Sequence, residues 1–161
     1  MKSWLVLLAA SLIVFLSSAA HTEQAKAEAG HEAPALVVSN SAGVVKLSAL
    51  RGKYVVINFW NSADPQSRIN NALFDRALAD SDSGIEYIAI CTDSTPELFG
   101  CVLEADGLRE ARQFIYDRNL AGTLLSDYCA PGESATYLID PETKVVTMSA
   151  DEIMSVIKSA A

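Results

Sequence analysis

Three cysteines carry the most reactive side chains of this 161-residue chain: Cys91, Cys101 and Cys129. Two thiols separated by two residues would support disulfide exchange, in which one thiolate attacks and a second thiol resolves the mixed disulfide. The chain contains no such pair, and its odd cysteine number leaves at least one thiol free or bonded to another chain. We expect structural roles for all three, because a buried cysteine behaves as a small apolar side chain.

Asp64 and Ser67 are the next candidates for chemistry, because they lie where an apolar strand gives way to a helix. Asp64 is a good N-cap residue and Pro65 suits the first helical position. The hydroxyl of Ser67 is a weak nucleophile unless a base lies beside it. The two histidines, His21 and His31, fall in a polar N-terminal stretch, where we expect neither a base nor a metal site. A plain helix start is therefore favoured over a hydrolytic site.

Apolar runs typical of strands alternate with stretches typical of helices along the chain. The pattern predicts strands at 54–59, 85–90, 113–116, 135–139 and 145–148, and helices that begin near residues 64, 95 and 149. This order predicts an α/β fold with a central mixed sheet and helices on both faces. We expect 54–59 and 85–90 to run parallel, with 135–139 antiparallel to the former. Functional residues of such sheets lie where strands end and helices begin, here the stretch 60–68.

Several short segments and one longer run form a recognisable set. They are Ala33-Pro34, Gly43, Leu47, Leu50-Arg51-Gly52-Lys53, Asn58-Phe59-Trp60 and the run from Tyr128 to Asp140. These residues resemble the thioredoxin-like thiol-disulfide oxidoreductases of bacterial envelopes, the TlpA/ResA group. The resemblance covers nearly all of the chain from residue 33 onward and implies a thioredoxin-like fold.

Members of that group carry Trp-Cys-x-x-Cys-Arg soon after the Phe-Trp pair, and a cis-proline in the later run. The resemblance places Asp64 and Ser67 at the two cysteine positions, Ala63 at the tryptophan position and Ser134 at the cis-proline position. It implies that the catalytic dithiol is absent. The residues that would line what remains of the substrate groove are Trp60, Ala63, Asp64, Pro65 and Ser134.

The N-terminus has the pattern of a secretory signal peptide, with a basic start at Lys2, an apolar run over 4–16 and small residues up to Ala20. We expect cleavage after Ala20, with a second small-x-small site ending at Ala27. The sequence thus predicts a signal peptide over 1–20, a flexible leader over 21–32 and a thioredoxin-like domain over 33–161. We expect the protein in the periplasm or secreted, without membrane insertion after cleavage.

Acidic residues outnumber basic residues by 20 to 12, which gives a formal net charge of −8. No basic stripe is present, so nucleic acid is excluded as an expected partner, and no motif indicates a metal or cofactor. We expect a binding or accessory module of the bacterial cell envelope, with a peptide or envelope protein as its partner. Two alternatives stay open. One is a thiol-disulfide oxidoreductase acting in cell redox homeostasis through Cys91, Cys101 or Cys129, and the other is a structural domain that assembles with a redox-active relative.

Overall fold

The computed structural model describes residues 26–79, 83–116, 124–128 and 133–160. Seven strands lie within these ranges: β1 (Val37–Asn40), β2 (Gly43–Lys46), β3 (Val55–Trp60), β4 (Glu86–Cys91), β5 (Gln113–Ile115), β6 (Ala135–Ile139) and β7 (Val145–Thr147). The helices in the same ranges are α1 (Pro65–Ala79), α2 (Pro96–Asp106), α3 (Leu124–Tyr128) and α4 (Ala150–Ala160), with short 3₁₀ turns at Leu47–Leu50 and Glu110–Arg112.

Five of the strands form one mixed sheet in the order β5-β4-β3-β6-β7, while β1 and β2 form a separate hairpin. β3 runs parallel to β4, and β4 runs parallel to β5. β6 runs antiparallel to both β3 and β7. These pairings confirm the predicted sheet, and they place the carboxyl ends of β3 and β4 side by side.

Both faces of the sheet are covered, which explains the continuous apolar character of β3, whose six residues are all buried. One face packs against α1, α2 and α4 through side chains such as Phe74, Phe99 and Ile153. The other face packs against β1 and α3 through side chains such as Val38 and Tyr128. Helices therefore lie on both faces, and the thioredoxin-like fold is confirmed.

Capping residues mark the ends of the helices, and α2 and α4 begin close to the predicted positions 95 and 149. The Thr95 hydroxyl accepts a hydrogen bond from the N–H of Leu98, and α2 ends at Gly107 in the left-handed conformation, with φ of 65°. At the start of α4 only half of a capping box forms. The Ser149 hydroxyl accepts the N–H of Glu152 at 3.4 Å, whereas the Glu152 carboxylate binds the hydroxyl of Thr147 instead of the Ser149 N–H.

The described part of the expected flexible leader, residues 26–32, packs against the domain. The N–H of Gly30 donates to the carbonyl of Val145 at 2.8 Å, and the N–H of Val145 donates to the carbonyl of His31 at 2.9 Å. Ala27 is buried, and its N–H donates to the carbonyl of Asp127 at 2.8 Å. This order differs from a loose segment because it rests on backbone hydrogen bonds, which need no apolar periodicity.

Candidate functional site

The candidate site lies at the carboxyl end of β3, in the loop that leads into α1. The side-chain oxygen of Asn61 accepts the N–H of Ala63 at 2.8 Å, and the carbonyl of Asn61 accepts the N–H of Asp64 at 3.3 Å. These two bonds form a tight turn within four residues. The turn fixes the direction in which α1 leaves the sheet.

Asp64 caps the first turn of α1, as its spacing predicts. Its carboxylate accepts the N–H of Gln66 at 3.0 Å, and its carbonyl accepts the N–H of Arg68 at 3.1 Å. Pro65 occupies the first helical position, where its missing N–H costs nothing. The Asp64 side chain therefore satisfies a backbone donor and places negative charge at the positive end of the helix dipole.

Ser67 and Ser134 meet across the site. The hydroxyl of Ser134 donates to the hydroxyl oxygen of Ser67 at 2.8 Å, and that oxygen also accepts the N–H of Asn61 at 2.9 Å. Ser67 is buried, whereas Ser134 is exposed, and no basic side chain bonds to either hydroxyl among the described residues. Every peptide bond between described residues is trans, including the bond that precedes Ser134. The serine pair therefore bridges the start of α1 to the strand β6.

Asp93 fastens the same loop from the neighbouring strand, a role that no sequence motif indicates. Its carboxylate accepts the N–H of Ser62 at 2.7 Å, the hydroxyl of Ser62 at 3.0 Å and the N–H of Ala63 at 3.2 Å. Partial burial acts to raise the pKa of Asp93, but these bonds together outweigh it and hold the pKa below its ordinary value. The only available signal was an acidic residue just beyond a parallel strand.

The two described cysteines are free and differ in access. Cys91 ends β4 with no exposed surface, and its thiol donates to the carboxylate of Asp93 at 3.3 Å. Burial is the main cause that raises the pKa of Cys91, which keeps it a thiol rather than a thiolate. Cys101 is exposed on α2. Cys129 lies outside the described residues.

Trp60 and Ala63, both expected to line a groove, have opposite environments. Ala63 is exposed in the loop. Trp60 has no exposed surface, and its ring stacks on Phe99 with centroids 6.1 Å apart. Trp60 thus supports the loop from beneath and presents no surface to a ligand.

A belt of buried and partly buried polar side chains crosses the sheet below the site, and no sequence pattern indicates it. Its members are Thr136, Asn58, Tyr87, Asn71 and Gln113. The hydroxyl of Thr136 donates to the oxygen of Asn58 at 2.9 Å, and the hydroxyl of Tyr87 donates to the oxygen of Asn71 at 2.6 Å. The amide of Asn71 donates to Gln113 at 3.1 Å. The belt joins α1 to four strands, so it fixes the position of the helix that carries Asp64 and Ser67.

The part of the chain that the structure describes holds no helix with both the length and the apolar character to cross a bilayer.

No curated protein sequence matches this chain. Solved structures do. The thioredoxin domain of a thiol-disulfide oxidoreductase from Bacteroides vulgatus has a TM-score of 0.70 and 25% identity, over 82% of this chain and 96% of its own.

Two further structures show the same fold. A thiol:disulfide interchange protein from Bacteroides sp. has a TM-score of 0.69 and 25% identity, over 83% of this chain and 90% of its own. A secreted disulfide oxidoreductase from Mycobacterium tuberculosis has a TM-score of 0.59 and 15% identity, over 77% of this chain and 95% of its own. The sequence of residues 29–148, well over half of the chain, matches the AhpC/TSA family. The strand order and the helix start after β3 are those of the thioredoxin-like fold. On the sequence match, the chain belongs to the AhpC/TSA family.

Proposed function

We propose that this chain is an exported thioredoxin-fold binding or accessory module of the bacterial cell envelope, and that it does not run a dithiol cycle. The observation that carries the proposal is the chemistry at the start of α1. Asp64 has its carboxylate committed to the N–H of Gln66, and Ser67 has its hydroxyl oxygen committed to Asn61 and Ser134. Neither side chain can form or resolve a mixed disulfide, since both steps need sulfur.

A partner would meet the exposed residues of the loop and of its neighbour on β6. Ala63, Asp64, Pro65 and Ser134 are all exposed. The turn at Asn61 and the hydrogen bonds to Asp93 hold the backbone of residues 62–64 in place. A surface that is already ordered loses little conformational entropy on binding, which favours recognition of an extended peptide or an envelope protein. Export remains a prediction from the signal-like N-terminus.

A second candidate function is thiol-disulfide exchange through a relocated cysteine. Cys101 is exposed, so a disulfide substrate could reach it. Cys91 is a poor nucleophile, because burial raises the pKa of its thiol. The two solved structures that are 25% identical to this chain are named as a thiol-disulfide oxidoreductase and a thiol:disulfide interchange protein, which keeps this candidate open.

A disulfide reductase assay distinguishes the two functions. The wild-type chain should show no turnover above a protein-free blank, and a variant lacking all three thiols (Cys91→Ala, Cys101→Ala, Cys129→Ala) should match it. The double variant Asp64→Cys/Ser67→Cys should form an internal disulfide, because the helix start and the spacing are retained. Wild-type turnover that disappears in the triple variant would establish the second function instead.

A further inference from the structure

The outward face of α1 carries an apolar stripe that nothing in the described chain covers. Ile69 is 53% exposed and Leu73 is 50% exposed, although the helix already buries its opposite face through Phe74 and Leu78. The stripe, together with the last turn of α2, lines a groove of about 440 Å³, here called the α1–α2 groove. Its apolar lining consists of Pro65, Ile69, Ala72, Leu73 and Ala105.

Two arginines, Arg68 and Arg76, lie along this groove, and only Arg68 forms an ion pair with a described residue. Arg68 is held by Asp106 through two hydrogen bonds of 2.8 and 2.5 Å, so each charge neutralises the other. Arg76 is exposed and forms no ion pair with the described residues. Arg76 interacts electrostatically with the buried Asp75, and as an exposed residue it adds positive charge beside the apolar lining of the groove.

We propose that the α1–α2 groove binds an amphipathic helix of a protein partner, with a carboxylate of that helix on Arg76. This inference rests on the proposed function, since it names the kind of partner that the module binds. Arginine is the side chain best suited to a carboxylate because its planar fork can donate two parallel hydrogen bonds. An arginine that becomes buried beside apolar side chains on binding is also typical of an interface hot spot.

The dimensions of the groove suit a helix. The α1 residues that line it span 65–76, which is about 17 Å at 1.5 Å per residue, or about three helical turns. Ile69, Ala72, Leu73 and Arg76 follow one another at helical spacing, so they form a ridge against which a second helix can pack. The half-exposed walls would leave a small molecule largely in water, whereas a helix laid along the ridge would cover Ile69 and Leu73 together.

The test uses two dye-labelled synthetic helical peptides of about 14 residues. Both carry leucines at i, i+3 and i+7 on one face, and at one flanking position the first has Glu where the second has Lys. Fluorescence anisotropy measures their Kd for the full chain. The Glu peptide should bind the wild type about tenfold more tightly than the Lys peptide. Arg76→Glu should reverse that preference.

The apolar part of the groove is tested with Ile69→Ser/Leu73→Ser, which should weaken binding of the Glu peptide about tenfold or more. The matched control is Val146→Ser/Met148→Ser, since those side chains are 48% and 52% exposed outside the groove and should not affect binding. All four positions are exposed, so circular dichroism should show a folded chain in both variants. Equal affinity for the two peptides, equal loss in the control, or no binding at about 1 mM would overturn the proposal.

Failure of this inference can be told apart from failure of the proposed function. If the peptides do not bind and the wild type is inactive on disulfides, the groove assignment is refuted while the proposed function stands. If the peptides bind as expected and the wild type reduces disulfides through a cysteine, the proposed function is refuted while the groove assignment stands.

Discussion

Asp93 and Asp75 are carboxylates in opposite surroundings. Asp93 accepts hydrogen bonds from Ser62, Ala63 and Cys91, and its pKa is lowered. Asp75 is 2% exposed on α1, and one of its oxygens has no partner among the described residues. Burial raises the pKa of Asp75, and this effect exceeds the opposing influence of nearby arginines and of the Arg109 N–H. The two residues should therefore contribute to the pH dependence of stability with opposite signs.

Replacing Asp93 with alanine removes the acceptor shared by Ser62 and Ala63. We expect the free energy of unfolding to fall by about 1–2 kcal/mol at neutral pH. Because the native pKa is lowered, the stabilisation from Asp93 is present above the unfolded-state pKa and is lost as pH falls through the native pKa. Urea denaturation at several pH values measures both effects. The control is Glu142→Ala, which removes an exposed carboxylate paired with Lys144 and should change stability by less than about 0.5 kcal/mol. An equal loss of stability in this control would contradict a specific role for the hydrogen bonds to Asp93.

Asp75→Asn should show the opposite pH dependence. The native pKa of Asp75 is raised, so ionisation of its buried carboxyl destabilises the fold as pH rises from the unfolded-state pKa through the native pKa. Relative to the wild type, the Asn variant should gain stability across that window and level off above it. Thermal or urea unfolding of both chains across the acidic range provides the comparison. A difference that does not change with pH would show that the two states have the same pKa.

At the scale of elements, the position of α1 depends on the polar belt as much as on apolar packing. Asn71 is fully buried on this helix and bonds to side chains from β3, β4 and β5. Buried polar groups are costly unless every partner is present, so such a network favours one arrangement of helix and sheet. The start of α1, and with it the site, is held from below by this network.

Asn71→Leu should therefore destabilise the protein by about 2–3 kcal/mol despite adding apolar volume, because it leaves Tyr87 and Gln113 with unsatisfied polar groups. The neighbouring change Asn70→Leu is the matched control. Among the described residues, the Asn70 side chain accepts a bond only from the exposed Gln66 side chain, so we expect a change within about 0.5 kcal/mol. Chemical denaturation compares the two variants. Equal effects would mean that the belt contributes nothing specific.

Local signals explain what the sequence predicted well. The apolar runs of β3 and β4 and the caps at Asp64 and Thr95 act over a few residues, so their patterns were readable. The hydrogen bond from Ser62 to Asp93 joins positions 31 apart, and the Asn71–Gln113 bond joins positions 42 apart. Local sequence patterns do not indicate contacts between residues that lie so far apart in the sequence. Asparagine and glutamine are also read from sequence as surface residues, because they are mostly exposed in proteins. Here they are buried, and side chains of the sheet provide their hydrogen-bond partners.

At the scale of the whole molecule, the segment before β1 completes the fold. Residues 30–33 pair with the edge formed by β7 and the turn that precedes it, and Glu32 forms an ion pair of 3.2 Å with Arg51. That pair is exposed and contributes little to stability. The backbone bonds matter more, because they satisfy groups that an edge strand otherwise leaves open.

The burial of Ala27 favours the first of the two expected signal cleavage sites, the one after Ala20. Cleavage after Ala27 would remove a buried methyl group and the hydrogen bond to Asp127, so a chain beginning at Glu28 should be less stable by about 1–2 kcal/mol than one beginning at His21. A chain beginning at Lys26 keeps both contacts and should be more stable than the Glu28 chain by about the same amount. If the chain is exported as predicted, mass spectrometry should give the mass that begins at His21. A mass beginning at Glu28 would contradict this prediction.

We expect the pairing of this N-terminal segment with β7 to form late in folding. Thr143 donates to Glu32, 111 positions earlier in the sequence, so the two ends of the domain meet only when nearly the whole chain is available. Closing so large a loop costs entropy that only later contacts offset, which makes the pairing a late step. Until then β7 is an open edge that another chain could extend. Pairing of this segment with β7 should therefore also protect the folding chain from aggregation through that edge.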